Sequence, residues 1–157
     1  MIELHIPGRG DIQLKYVVFD VNGTLATDGQ LIEGVEAVIA QLRDRVEVHL
    51  LTADTHGKQV EIDRQLNLTA DRLKPGGQER EQKADYVRAL GESNVVAIGN
   101  GGNDVDMLNA AAIGIAVIGH EGAAFEALAA ADVVTHDILD AIGLLLNPKR
   151  LTATLRR

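Results

Sequence analysis

A chain of 157 residues suits one domain with a sizeable core, and 46% hydrophobic with 24% charged residues is the balance of a globular fold. A formal net charge of −8, with the basic residues scattered, argues against the positive footprint that nucleic-acid binding needs. The absence of cysteine excludes disulfides, thiol chemistry and thiolate metal sites. Apolar runs are too short to cross a bilayer, and the first residues hold no basic stretch leading into an apolar one, so the expectation is a cytoplasmic protein with no membrane partner.

In chain order, Ile2, Leu4 and Ile6 alternate with Glu3 and His5, and Pro7-Gly8-Arg9-Gly10 turns the chain toward Ile12 and Leu14, which predicts an N-terminal β-hairpin over residues 1–14. Residues 16–19 (Tyr-Val-Val-Phe) form a continuous apolar run suited to a strand buried on both faces. The polar, glycine-containing stretch 22–32 reads as a loop or small flap. Val35, Val38, Ile39 and Leu42 make a helical stripe, followed by a strand at 46–51, a helix at about 57–66 and a short strand near 70–73. A helix carrying Tyr86, Val87 and Leu90 stops at Gly91. Next come a strand at 95–98, a helix near 104–112, a strand at 113–118, a helix near 122–130 and a strand at 132–134. A last helix holds Ile138, Ile142, Leu145 and Leu146 and ends at Asn147-Pro148, leaving 147–157 as a weakly basic, solvated tail with Arg150, Arg156 and Arg157. Such regular alternation means an α/β fold with a mainly parallel sheet and a single domain over 1–157.

Ligands of open parallel sheets bind beyond the carboxyl ends of the strands. Asp20 follows the first central strand, Thr52-Ala53-Asp54 the next, and Asn100-Gly101-Gly102-Asn103-Asp104 a later one. A carboxylate at position 20 can attack phosphorus and split one displacement into two, and Gly23 allows a tight turn that aims the following amides at phosphoryl oxygens. The plainer alternative is an Asp that stabilises a turn. Thr52 offers a hydroxyl to a phosphoryl oxygen, although Thr52, Asp54 or Thr55 also suits a helix cap. Lys83 offers a fixed positive charge. In residues 99–104 the glycines permit close approach, Asn103 offers an amide, and Asp104 is a hard oxygen donor suited to Mg²⁺; a capped strand-to-helix turn is the alternative. The segment is not a dinucleotide fingerprint, and no Walker-type loop occurs in the chain. Of the histidines, His5 and His49 fall on strands, His120 and His136 in loops, and His56 near a helix start; His56 and His120 stand closest to the site mouth, with solvation the simpler role.

These pieces, in this order, resemble the haloacid-dehalogenase superfamily. Residues 20–25 resemble its Asp-x-Asp-Gly-Thr-Leu motif, Thr52 its second-motif hydroxyl, Lys83 its third-motif base, and residues 99–104 its acidic fourth motif. Thr52-Ala53-Asp54 and Gly99-Asn100-Gly101-Gly102-Asn103-Asp104 are similar to the Thr-Gly-Asp and Gly-Asp-Gly-x-Asn-Asp segments of P-type ATPase phosphorylation domains, as are residues 113–117 and 130–134 downstream. The resemblance spans 15–146. It implies a Rossmann-like three-layer sandwich without a cap domain, and Mg²⁺-dependent phosphoryl transfer through an aspartyl-phosphate on Asp20. It places Asp20, Val21, Asn22, Thr52, Ala53, Lys83 and Asn103 around the phosphoryl group, and Asp20, the Asn22 carbonyl, Asn100 and Asp104 around the metal. ATP use does not follow, because the nucleotide-binding insertion is absent.

Two departures bear on rate. Asn22 stands where phosphatases of the superfamily carry an acid–base Asp, and an amide cannot shuttle a proton; general acid–base catalysis is typically worth about 10²–10⁴-fold. Asn100 replaces an anionic metal ligand. The implied substrate is a phosphorylated small molecule or macromolecule, with the uncapped site covered by that macromolecule or by a second copy in a homo-oligomer. The alternative is a catalytically weak relative that binds phosphate or a partner. A phospho-Asp receiver domain also uses Asp, Thr and Lys, but the Asn-Gly-Thr-Leu after Asp20 and the late glycine-rich segment count against it.

Overall fold

Alternation along each strand, combined with helices between strands, dictates the layering. The computed structural model describes residues 1–54 and 57–157; Thr55 and His56, read above as an alternative cap and as a histidine near the site mouth, lie outside the described residues. Strand β1 (Ile2–Ile6) pairs antiparallel with β2 (Gly10–Leu14), as the alternating apolar residues predict. Then follow β3 (Tyr16–Asp20), a two-stranded flap of β4 (Ala26–Thr27) and β5 (Gln30–Leu31), helix α1 (Val35–Arg43), β6 (Glu47–Thr52), α2 (Gln59–Leu66) and β7 (Asp71–Arg72). Helix α3 (Glu79–Leu90), β8 (Val95–Gly99), α4 (Val105–Ala110), β9 (Ile113–Val117), α5 (Phe125–Ala130), β10 (Val133–Thr135), α6 (Ile138–Leu146) and α7 (Pro148–Leu155) complete the strands and α-helices of the described residues.

The central sheet runs β10-β9-β8-β3-β6-β7, and every neighbouring pair is parallel. Its middle strands are buried on both faces, which is why their sequences are unbroken apolar runs. Period-two alternation then sorts the core into two faces. Val17, Phe19, Val48, Leu50, Val96 and Ile98 pack with α1, α2, α6, α7 and the hairpin, whereas Val18, Leu51, Val95 and Ala97 pack with α3, α4 and α5. The result is a three-layer sandwich with β3 at its centre. Each fully buried Val, Leu or Ile stabilises it by roughly 1.5–3 kcal/mol relative to exposure.

The last segment differs from expectation. Helix α6 does end before Asn147, but residues 148–155 form α7 rather than a solvated tail. Pro148 occupies the start of the helix, where its fixed φ is suited and its missing N–H costs nothing. Leu151 and Leu155, four residues apart, bury against the core that includes Ile2, Leu4 and Ile6 of β1, and Arg157 N donates to Pro7 O at 2.9 Å. Two apolar positions are too few for periodicity to announce a helix; the hairpin supplies the surface that makes them one.

Among the described residues, no helix is long and apolar enough to cross a membrane.

Candidate active site

Strand register brings the singled-out residues together. Asp20 pairs with Leu51, so the ends of β3 and β6 lie side by side, and β8 on the other flank delivers Asn100. Asp20 is 6% exposed and Lys83, on the second turn of α3, is 1% exposed. Lys83 Nζ donates to Asp20 Oδ1 at 2.8 Å and to Asp104 Oδ1 at 2.7 Å. Burial, then the neighbouring Asp104 carboxylate, push the Asp20 carboxyl up to about 7, with Lys83 and Thr24 pulling it back. For Lys83, burial alone would lower the ammonium, but the two carboxylates outweigh it and hold it above its ordinary value. With Asp20 ionised, the three groups carry one net negative charge.

The turn after Asp20 is hydrogen-bonded inward. Val21 N donates to Leu51 O, Gly23 N to Ala26 O, and the amides of Thr24, Leu25 and Ala26 all converge on Val21 O. Val21, expected beside the phosphoryl group, gives its amide to Leu51 O and buries its side chain. The amides of Asn22 and Ala53, in contrast, have no hydrogen-bond partner among the described residues. Gly23 takes a φ of 81°, the left-handed region that the tight turn requires.

Asn22 Nδ2 donates to Thr52 Oγ1 at 3.2 Å, and the buried Thr52 hydroxyl also accepts from Asp54 N at 3.0 Å. Thr52 thus faces motif one and braces the turn that follows; it does not cap α2, which begins at Gln59. Asp54 Oδ2 accepts from Gln59 N at 3.0 Å, the amide at the start of α2.

Asp104, expected to serve the metal, has both oxygens engaged. Oδ1 takes Lys83, and Oδ2 accepts from the amides of Asn100 and Gly101, each at 2.9 Å. Only glycine fits at position 99, because a Cβ there would stand 2.5 Å from the Asp104 carboxyl carbon. The fold uses Asp104 to hold Lys83 and the glycine-rich loop. Asn103 is exposed beside Gly101 and makes no hydrogen bond to Asp20, Thr52 or Lys83.

Further hard oxygens placed for a cation are Asp20 Oδ2, the Asn22 carbonyl and Asn100 Oδ1. Thr24 Oγ1, 3.4 Å from the first and 3.2 Å from the third, links them. The chemistry of that donor set fits Mg²⁺, which binds through few carboxylates and keeps several waters. Among the described residues, no three His, Cys, Asp or Glu side chains converge on one point, so softer transition metals lack their usual ligands here.

Several participants carry no assigned role in the sequence reading. Thr24 is one, although it is the threonine of the first motif. Glu121 and Lys58 line a cavity of about 300 Å³ over Asn22, Gly23 and Ala53. Glu121 lies on the turn after β9, so the strand-end rule applied to that strand would have found it. The described histidines do not converge on Asp20: His5 meets Asp11, His49 meets Tyr86, and His120 with His136 lines a separate cavity beside Thr24.

Known proteins are similar to this chain in sequence and in fold. The profile of the haloacid dehalogenase-like hydrolases matches residues 25–112, and a second profile of the same description matches residues 86–142. The uncharacterized protein MJ0073 of Methanocaldococcus jannaschii is 44% identical over 84 residues, 51% of this chain and 90% of that protein. The fold is similar to the cobalt-bound deoxy-D-mannose-octulosonate 8-phosphate phosphatase YrbI of Haemophilus influenzae, with TM-score 0.71 and 17% identity over 92% of this chain and 94% of that one. It is also similar to a zinc-transporting PIB-type ATPase in its E2.Pi state, with TM-score 0.65 and 28% identity over 79% of this chain but 20% of the transporter.

Proposed function

The chain belongs to the haloacid dehalogenase-like hydrolase family, and on that premise we propose that it transfers phosphoryl groups from phosphate esters through an aspartyl-phosphate on Asp20, with Mg²⁺ as cofactor. The observation that carries this reading is the buried Asp20 carboxylate sharing Lys83 with Asp104, with the amides of Asn22 and Ala53, which have no hydrogen-bond partner among the described residues, on the loops after β3 and β6. The carboxylate oxygen attacks phosphorus, the ester P–O bond breaks, and the leaving oxygen takes its proton from solvent. Water then attacks the aspartyl-phosphate, breaking its P–O bond to regenerate Asp20 and release inorganic phosphate. Lys83 holds the carboxylate in place and offsets its charge, and the two amides and the Thr52 hydroxyl face the phosphoryl oxygens. Asp20, the Asn22 carbonyl and Asn100 would hold Mg²⁺, whose chemistry is to neutralise charge on the transferring group.

Asn22 sets the rate. Its side chain is a brace to Thr52 rather than a proton carrier, so leaving-group protonation and water activation both fall to solvent. The expected behaviour is phosphoenzyme formation with slow hydrolysis. The test is trapping from acetyl phosphate or p-nitrophenyl phosphate with Mg²⁺: an acid-stable, hydroxylamine-labile adduct should form on the wild type and not on Asp20→Ala. An adduct of equal yield on Asp20→Ala defeats the proposal. The second reading, a relative that binds phosphate or a partner without turnover, draws on the Asn22–Thr52 hydrogen bond and on neutral Asn100. It is favoured if neither the wild type nor Asn22→Asp forms the adduct while inorganic phosphate still binds.

A further inference from the structure

The turn after β9 is built into the site. Gly122 N donates to Gly119 O at 2.9 Å, Ala124 N donates to Asn100 O at 2.9 Å, and Asn100 Nδ2 reaches Gly122 O at 3.4 Å. A Cβ on Gly119 would lie 3.4 Å from Gly23 O, so the turn rests directly on motif one. From this fixed base Glu121 lays its carboxylate on the bare face of Gly23. A Cβ built on Gly23 would stand 2.1 Å from Glu121 Oε2, 2.8 Å from Asn100 Nδ2 and 3.1 Å from Asn100 Oδ1. Glu121 and Asn100 therefore meet over one glycine, and Glu121 has no hydrogen-bond or ion-pair partner among the described residues.

Charge gives this arrangement its meaning. Lys83 offsets one of the two carboxylates, Asp20 and Asp104, leaving one negative charge for a divalent cation. Position 100 adds none, being a neutral amide. We propose that Glu121 supplies the second negative charge of the cation site, acting through the water shell that Mg²⁺ or Mn²⁺ retains. The anionic group is displaced from the loop after β8 to the turn after β9, across Gly23. The inference rests on the metal-dependent reading of Asp20.

The test is Mn²⁺ binding to the full chain, read from the electron paramagnetic resonance signal of free Mn²⁺ and by competition with Mg²⁺. Glu121→Gln should weaken Mn²⁺ binding about tenfold, with the circular dichroism spectrum unchanged because Glu121 is exposed. Asn100→Asp should tighten it, and the double variant Asn100→Asp/Glu121→Gln should return close to wild-type affinity, since the charge has only moved. Wild-type affinity in Glu121→Gln, with binding lost in Asp20→Asn, overturns the role of Glu121 while leaving the metal at Asp20 intact. Unchanged affinity in Asp20→Asn overturns both. Loss of turnover in Glu121→Gln without loss of affinity also overturns it, by assigning Glu121 to proton transfer.

Discussion

Replacing Asp20 with Asn should abolish phosphoenzyme formation and, above neutral pH, make the protein more stable. In the unfolded chain the carboxyl titrates near 3.8; in the fold, burial first and Asp104 second push it to about 7. The folded state thus binds this proton more tightly. Its contribution to stability is fully present below about pH 4 and is lost as pH rises to about 7. At about 1.4 kcal/mol per pH unit, that interval is worth roughly 4 kcal/mol. Asn carries no such dependence, but its amide must still find partners beside Lys83 and Thr24, at a cost of about 1 kcal/mol. The net expectation is a gain of about 2–3 kcal/mol for Asp20→Asn at pH 8, shrinking to nothing or slightly reversing near pH 4.5. Urea unfolding of both proteins in EDTA at pH 4.5, 6 and 8 measures it. A variant destabilised equally at all three values would refute the electrostatic account of the site. Added Mg²⁺ should stabilise the wild type selectively and narrow the gap.

Lys83→Met, which strands two buried carboxylates, should cost about 3–5 kcal/mol in the same unfolding assay at pH 8. Asn22→Asp restores an acid–base group beside Thr52 and should raise steady-state turnover of p-nitrophenyl phosphate by about 10–100-fold, shortening the life of the trapped adduct; unchanged turnover would place the slow step elsewhere. Leu151→Ala should remove about 2–4 kcal/mol of stability by opening a cavity between α7 and the hairpin, with Mn²⁺ affinity unaltered. A loss below about 0.5 kcal/mol would mean that α7 does not hold the hairpin.

The sheet was legible because its strands are unbroken apolar runs separated by helical stripes, and the hairpin because Ile2, Leu4 and Ile6 alternate with polar residues. Helix α7 was not, since Leu151 and Leu155 become a buried face only when β1 lies against them. In the site, Asp20 and Thr52 were legible because strand ends and motif order both mark them, and Lys83 from motif order alone. The hydrogen-bond partners of Val21 and Asp104 were not. Residue type announces a donor or a carboxylate, but only the fold decides whether Leu51 takes the Val21 amide, or whether two backbone N–H groups and Lys83 take the Asp104 oxygens. Glu121 carries no local signal except its position after β9, and its partner Gly23 is about a hundred residues away in sequence.

The two-stranded flap has a kinetic consequence. Between β3 and α1 the chain spends only β4 and β5, tied to the loop by Ile32 N to Leu25 O and Gly23 N to Ala26 O. Many enzymes wait for a lid to reopen before product departs. With so short a cover, the proposed reaction would let the alcohol and the phosphate each leave by diffusion, and neither release step would limit the rate. Rapid mixing should then show a burst of alcohol of one equivalent per site, followed by a slow phase that belongs to water and the phosphorylated carboxylate alone.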